Sequence, residues 1–564
     1  MQNNWWRQLR LVLLAGLIGS FLWACGGGND APAPAVSSEA TPTSLSLSRI
    51  GGFTHSGGIA SAEITAYDPL SQRLFVINGA LGTVDVLSLA NPAAPVQVGT
   101  LTTAAFGPGL AGANSVAIFN GVVALAIEAN PKTNNGVVVF VRASDLRFLA
   151  LAPAGALPDM LTFTPDGRFV LVANEGEPNS YNLPDSIDPV GSISIIEVSG
   201  LSPTTTAVFT TVTSAGFESF NNQAATLRAS GVRVFGPNAS VAQDLEPEYI
   251  AVSADSRTAY VTLQENNAIA IVDIASRRVS AIRPLGFKDH NVAGFGLDPS
   301  DEDGGTNTNS GTSTIRIAPV PVRGMYQPDA IASFMVGTAT FLVTANEGDA
   351  RDYPGFNEEV RVRAHCTGGL APTFANATNQ LFDSGLGRLQ ITSTLNGGQG
   401  VLNASSQCTD LYAFGARSFS IWNSDISRVF DSGDQFEQRT AALSPGIVFN
   451  ASNANNTFDN RSTSKGPEPE GVVTAVFGTR TFAFIGLERV GGVIVYDVSN
   501  PAAASFVTYI NTRSGAAGTP IAGDNGAEGL TFIPASQSPN GRPLLVVGFE
   551  TSGTTGIFQI NLIN

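Results

Sequence analysis

One unit recurs along this chain and sets what it can fold into. Its clearest copy runs from Glu248 to Asp273. It reads as an acidic residue, a short apolar strand, a Ser-Ala-Asp-Ser turn at 253–256, a second strand, Gln264-Glu265, a turn, and a third strand ending in Asp273. Such turns suit hairpins because Ser and Asp side chains bond their own backbone. The same order restarts at Asp159, Asp329, Glu470 and Glu528, and in weaker form at Glu63 and Asn114. A β-rich unit of about 40–45 residues repeated in this way is a propeller blade, which cannot bury both of its faces alone and stacks on its neighbours. The expectation is an all-β, seven-bladed β-propeller, WD40/YVTN-like, over residues 45–564. The last unit ends after its third strand, and Leu45–Ile50 is placed to supply the missing outer one. Three long insertions, near 198–243, 284–322 and 350–460, interrupt the ring. Insertions of that length act as lids or small subdomains, or else decorate the surface.

Composition agrees. The chain of 564 residues is 43% hydrophobic, enough for a large core, and 13% charged. That is about half the ~25% usual for a globular domain. A net charge of −16 excludes nucleic acid as a partner, since phosphate binding draws on Lys and Arg.

The N-terminus reads as an export signal over 1–24. Arg7 and Arg10 precede an apolar run from Leu11 to Leu22 that is short for a membrane span. It ends in Leu22-Trp23-Ala24-Cys25, which resembles a bacterial lipobox with Cys25 as the lipidated residue; Trp23 departs from the favoured pattern, and ordinary cleavage nearby is the alternative. Residues 25–44 follow as a flexible Gly/Ala/Pro/Ser tether. The reading is an exported lipoprotein of the outer membrane, cell surface or periplasm, held to the membrane by its lipid, and otherwise a monomer. In that oxidising setting Cys366 and Cys408 are expected to pair.

The repeated acids point to one place. The first strand of each blade lines the central channel, so Glu63, Asn114, Asp159, Glu248, Asp329, Glu470 and Glu528 form a ring at one mouth. The second strand runs back, so Asn78, Glu128, Glu175, Glu265, Glu347, Glu488 and Glu550 form a wider collar there. Crowded carboxylates either share protons or bind cations, and all-oxygen ligands suit a divalent metal, Ca²⁺ in particular. Acids at strand starts also serve as hairpin caps, so both readings stand. A second acidic cluster, Asp298-Pro-Ser-Asp301-Glu302-Asp303-Gly304, has Asp301 and Asp303 spaced for a calcium loop without matching an EF-hand. The run Asn346-Glu347-Gly348-Asp349-Ala350-Arg351 adds an arginine. It serves either as a fork for an anionic phosphate or carboxylate or as a paired surface residue.

Four motifs taken together, Ala345–Arg351, Val172–Pro178, Gly466–Gly471 and Gly526–Leu530, resemble the choice-of-anchor I family. The resemblance implies an exported seven-bladed propeller attached to cells by differing means. The family includes cell-surface glycoproteins and bacterial proteins labelled alkaline phosphatase. A looser similarity to β-propeller phytases implies calcium at an acidic mouth, with no residue-level match. Two functions follow. One is a module holding a divalent cation at its mouth and, through it, an anionic small molecule or a cell-surface or extracellular partner. The alternative is a metal-dependent phosphomonoesterase with Glu347, Asp349 and Arg351 as its catalytic group. Zinc, haem, P-loop, dinucleotide and nucleophile-elbow motifs are missing from the sequence. Of three histidines, His290 reads as an acid/base, a metal ligand or a plain loop residue.

Overall fold

The computed structural model describes residues 41–395 and 401–564. The segment read as a signal peptide, Cys25 and nearly all of the expected tether lie outside the described residues. Within them the chain forms seven four-stranded antiparallel sheets. Their innermost strands are Thr65–Asp68, Leu110–Phe119, Pro158–Phe163, Ile250–Val252, Ile331–Val336, Pro469–Phe477 and Ala527–Ile533, and we number the sheets 1 to 7 in that order. Each innermost strand packs against the next, and that of sheet 7 packs against that of sheet 1. The fold is a β-propeller.

The core shows why the ring closes. The second strand of a sheet is apolar on both faces: Phe169–Asn174 and Leu544–Phe549 are buried at every position. Each face then packs a different neighbour. Phe75 and Ile77 meet Val116 and Leu125 between sheets 1 and 2. Leu74 and Val76, on the opposite face, meet Leu544 and Val546 of sheet 7. Seven such clusters lie between successive sheets. No sheet is stable by itself, because either face left bare would expose a row of large aliphatic side chains to water.

Sheet 7 takes its outer strand from the far end of the chain. Ser44–Thr54 pairs antiparallel with Thr554–Ile563, from Ser44 opposite Ile563 to Thr54 opposite Thr554. Leu45 and Leu47 enter the core between sheets 6 and 7.

The insertions lie elsewhere than the composition suggested. Phe209–Gly216 is the outer strand of sheet 3, so the first insertion starts after Gly216 rather than at 198. Ser418–Asn423 and Arg428–Asp431 complete sheet 5 and divide the third insertion into two. The long excursions therefore leave either between second and third strands or between one sheet and the next. In an up-and-down sheet these two kinds of connection emerge at the same end, so all of them crowd one mouth of the channel. Parts of the second and third insertions share a small core around Leu297, Val362, Leu389 and Leu411. That core contains the Cys366–Cys408 disulfide, whose Cα atoms lie 5.3 Å apart.

Candidate functional site

Asp159, Glu470 and Glu528 are positioned by backbone irregularities at the start of the innermost strands, and Glu63, Glu248 and Asp329 lie just before theirs. In sheet 3 Pro158 pairs with Asn174 and Leu161 with Val172, so Asp159 and Met160 face one residue. The same two-against-one bulge holds Glu470-Gly471 in sheet 6 and Glu528-Gly529 in sheet 7. Such bulges re-aim a side chain away from the regular alternation. The glycine after the acid has its own cause. A Cβ at Gly471 would sit 1.9 Å from the Glu528 carbonyl, and one at Gly529 would sit 2.7 Å from that of Glu63. The recurrent Glu-Gly pair thus turns an acid into the channel and lets the next strand come close.

Asp159, Glu175, Glu248, Asp329, Glu470 and Glu528, with Asn114, line one cavity of about 230 Å³. No basic side chain is among its lining residues. One oxygen each of Glu248, Glu470 and Glu528 is closed off from solvent with no hydrogen-bond partner. Burial, followed by repulsion from neighbouring carboxylates, raises the proton affinity of every acid in this lining. Asp159 is pushed up to about 7, and Glu175, Glu248, Asp329, Glu470 and Glu528 are pushed well above the usual carboxylate range. Glu63 packs on Gly79 beside the lining and is raised to about 8 by burial, Glu550 and Asp159. Glu265 lies buried near Arg351 and Asp349, with one carboxylate oxygen unpartnered, and is pushed up to about 7 mainly by burial.

The collar divides by role. Asn174 donates to the Ser192 carbonyl and to Ser192 and Ser194 Oγ, and Asn346 donates to Ser418 and Ser420 Oγ. In the Asn-Glu pair the amide therefore braces second strand to third. Glu347 and Glu488 meet Glu468, a residue the repeat pattern does not single out. These three offer ligand oxygens all within 4.8 Å of one another, the one group of at least three acids, histidines or cysteines that does so among the described residues. They already hold cations of the protein's own. Lys465 Nζ lies 2.5 Å from Glu347 Oε1 and 3.2 Å from Glu468 Oε2, and Arg489 Nε lies 3.0 Å from both Glu468 and Glu488. Against the upward pull of burial, Lys465, Arg461 and Arg489 hold Glu468 down at about 2. The tightest acid cluster is thus the neutralised one, and the channel cavity is not.

Arg351 is placed differently from a phosphate fork. It is buried, with Nη1 2.5 Å from Asp244 Oδ1 and Nη2 3.0 Å from Glu246 Oε1, and its guanidinium lies 4.5 Å from the Phe235 ring centre. Its Nη1 donates to the Asp244 carboxylate and its Nη2 to the Asp244 carbonyl, both in the first insertion. Arg233 makes a matching buried pair with Glu358 in the opposite sense, and Tyr353 Oη donates to Glu177 at 2.7 Å. Asp349 is exposed, 4.0 Å from Lys465 Nζ. The expected trio of Glu347, Asp349 and Arg351 is accordingly not one group: the first two face Lys465, and the third faces Asp244.

The Asp301 carboxylate is engaged by Arg388 through both oxygens, at 2.6 and 2.9 Å. Asp303 Oδ1 accepts from Thr314 N and Oγ1. Asp301 is thus paired with an arginine, and Asp303 is bonded through one oxygen to Thr314. His290 is buried, with Nδ1 2.7 Å from the Phe295 carbonyl. His55 bridges Asp85 of sheet 1 and Thr555 of sheet 7. Sequence reasoning missed Lys465, although it is one of only three lysines, with Lys132 and Lys288, and all three pair with acids.

The chain is similar to several known proteins. Gigasin-3a of Magallana gigas is 35% identical over 164 residues, 27% of this chain and 57% of that protein. The mesenchyme-specific cell surface glycoprotein of Strongylocentrotus purpuratus is 26% identical over 330 residues, 51% of this chain and 40% of that protein. The chain thus spans about half the length of these relatives. Among solved structures, the Cps50 (Swd1) β-propeller domain of Myceliophteria thermophila aligns at a TM-score of 0.39 and 9% identity, over 91% of this chain and 99% of that one. The choice-of-anchor I domain profile matches residues 63–501, which take in sheets 1 to 5 and the three inner strands of sheet 6, and the chain belongs to the choice-of-anchor I family.

Proposed function

We propose that this is an exported cell-surface β-propeller that takes a divalent cation, Ca²⁺, into its acidic channel. The observation that carries the proposal is the cavity lining. It brings together six carboxylates, no basic side chain, and three carboxylate oxygens shut off from water without a donor. Unpaired buried carboxylates are costly, and a cation relieves both the missing partners and the mutual repulsion. Asp159, Glu248, Asp329, Glu470 and Glu528, with the Asn114 amide, would hold it largely through its bound water, since no three of these acids bring oxygens within 4.8 Å of one another. All are hard oxygen donors of the kind Ca²⁺ takes. At about 30 Å³ per water, a 230 Å³ cavity also leaves room for the ion to keep part of its hydration shell.

On this reading the mouth, crowded by the insertions, presents a cation to an anionic group on another surface molecule, and Cys25 carries the lipid that holds the propeller at the membrane. The name of the sea-urchin relative, a cell surface glycoprotein, supports the surface location. The phosphomonoesterase alternative loses its anion clamp, because Arg351 is bound to Asp244 and Glu246.

The test is calorimetric titration of chelator-stripped full chain with CaCl₂, alongside thermal melts in Ca²⁺ and in chelator. Saturable binding with a higher melting temperature is expected. No binding at millimolar Ca²⁺ and superimposable melts would sink the proposal.

A further inference from the structure

The propeller has a second face, at the end of the channel away from the acids. Each innermost strand starts at the acidic mouth, so the turns from first to second strand and from third to fourth lie on the opposite face. The first described residues are bound there. Thr41 Oγ1 accepts from Thr479 N at 3.1 Å, in the first turn of sheet 6, and Arg480 Nη1 donates to the Pro42 carbonyl at 3.0 Å. Ser44 then starts the closing strand opposite Ile563. Whatever precedes Thr41 therefore leaves from the face opposite the acids. Residues 26–40 separate Cys25 from Thr41, a stretch that reaches at most about 55 Å when fully extended.

This face differs from the mouth in charge. Arg147, Arg168, Arg278, Arg428 and Arg542 stand in or beside its turns, on sheets 2, 3, 4, 5 and 7. All five are exposed, and none is ion-paired among the described residues. The acids of the face are engaged. Asp145, Glu197, Asp255 and Asp497 pair with its other arginines, Arg142, Arg277, Arg257 and Arg480. Asp68, Asp166, Asp273 and Asp425 accept hydrogen bonds within their own turns. Large apolar side chains stand exposed in the turns of three successive sheets: Leu70 at 59%, Phe148 at 51% and Phe209 at 70%. Cationic side chains spread round a ring, with apolar tips beside them, match anionic headgroups lying over hydrocarbon. The chain's net charge of −16 does not oppose this, because its densest acids line the other end. A six-residue strand such as Phe169–Asn174 holds the two ends about 20 Å apart, more than two screening lengths at physiological salt.

We propose that this face docks on a phospholipid bilayer bearing anionic headgroups. Arg147, Arg168, Arg278, Arg428 and Arg542 meet the phosphates, and Leu70, Phe148 and Phe209 dip between the headgroups. The acidic mouth and its insertions then point away from the membrane, toward other surface molecules. The part played by the tether rests on the reading of Cys25 as the lipid-bearing residue; the charge and exposure of the face do not. The lipid supplies the standing attachment, and the face fixes how the propeller sits on it.

The test uses the chain from Ala40 on, one compact unit that holds all seven sheets and the closing strand, so that no lipid contributes. It is floated with vesicles of phosphatidylethanolamine and phosphatidylglycerol in equal parts, or of phosphatidylcholine alone. Chelator is present throughout, so that no calcium bridges the mouth to lipid. In low salt, binding to the anionic vesicles is expected to exceed that to phosphatidylcholine by about tenfold, and to vanish in high salt. Arg147→Glu/Arg168→Glu/Arg278→Glu should lose the preference. Phe148→Ser/Phe209→Ser should weaken binding by about threefold. On the anionic vesicles, hydrogen exchange should slow within 142–148 and 163–169 and stay unchanged within 466–471, at the mouth. The lipid on Cys25 is read separately, by mass spectrometry of the N-terminal peptide of the full chain isolated from membranes. An unmodified Cys25 would remove the anchor without touching the flotation result. Equal flotation with the two kinds of vesicle, unchanged binding of the arginine variant, or exchange slowed at the mouth in place of these turns overturns the proposal.

Discussion

Arg351 reaches Asp244 across 107 residues of chain, donating to its Oδ1 at 2.5 Å and to its carbonyl at 2.7 Å, with both side chains fully buried. The pair pins the loop after the second strand of sheet 5 to the connection entering sheet 4. Removing the cation strands Asp244 and Glu246 in a closed site, and breaking a buried pair by removing one partner costs about 3–5 kcal/mol. Arg351→Ala should lose that much stability in denaturant melts. Arg351→Ala/Asp244→Asn should recover part of it, because the stranded charge is gone. A melt of Arg351→Ala that matches the wild type would show that the buried pair does not stabilise the fold.

In the channel, six carboxylates share one cavity lining with no basic side chain among them. Glu248→Gln/Glu470→Gln/Glu528→Gln keeps shape and removes three ionisable groups from the lining. Its melting temperature in chelator should exceed that of the wild type, while the rise on adding Ca²⁺ should shrink or vanish. Differential scanning calorimetry of both proteins, with and without Ca²⁺, decides it. A triple variant less stable in chelator and still fully responsive to Ca²⁺ would place the ion elsewhere.

The same acids fix the sign of the pH dependence. Glu63 goes from its ordinary 4.5 to about 8, chiefly through burial, and Asp159 from 3.8 to about 7. The folded state therefore holds protons that the unfolded chain has released. Stability from these groups is complete below about pH 4 and is lost as pH rises through the folded values, between about pH 4 and pH 8. Asp298 and Asp459 act in the same sense. In chelator the melting temperature should fall from pH 5 to pH 8. Saturating Ca²⁺ should flatten that fall, because a bound cation replaces the protons. A melting temperature that climbs over this range in chelator would mean that these acids are not held protonated in the fold.

What was legible in the sequence was what the chain repeats. Asp159, Glu248, Asp329, Glu470 and Glu528 open equivalent units and share one cavity lining, with Glu63 beside it, so their convergence followed from the repeat alone. The pairing of Leu45–Ile50 with the last unit followed from a missing strand. What was not legible depends on single long-range contacts. Lys465 meets Glu347 from 118 residues away, and Arg351 meets Asp244 from 107. Neither pairing leaves a periodic trace. The outer strand Phe209–Gly216 was read as insertion because it is half-exposed and rich in Thr and Ser, so its alternation is faint.

The disulfide belongs to the insertion core and not to the ring. Closing a loop of 42 residues is worth about 4 kcal/mol by loop-closure entropy. Cys366→Ala/Cys408→Ala should therefore raise protease sensitivity within 360–412 while the propeller keeps its far-ultraviolet spectrum and its cooperative melt. Loss of the propeller transition together with the insertion would show that the two fold as one unit.

The outer strand of sheet 7 is the clasp of the whole ring. Ser44–Thr54 is bonded along its length to Thr554–Ile563, and Leu45 and Leu47 are the two buried aliphatic side chains it sends into the core between sheets 6 and 7. Replacing each by Ala costs about 2–5 kcal/mol when a leucine leaves a cavity in a packed core. Backbone pairing, the Arg49–Asp524 ion pair and the packing of Ile50 and Phe53 are then the remaining restraints at the closure. In Leu45→Ala/Leu47→Ala, hydrogen exchange should first accelerate in Thr554–Ile563 and then in Leu544–Phe549, while Phe169–Asn174, across the ring, keeps its protection. Acceleration spread evenly over all seven sheets would mean instead that the ring opens only as a whole. No protected closing strand would then exist for the clasp to hold.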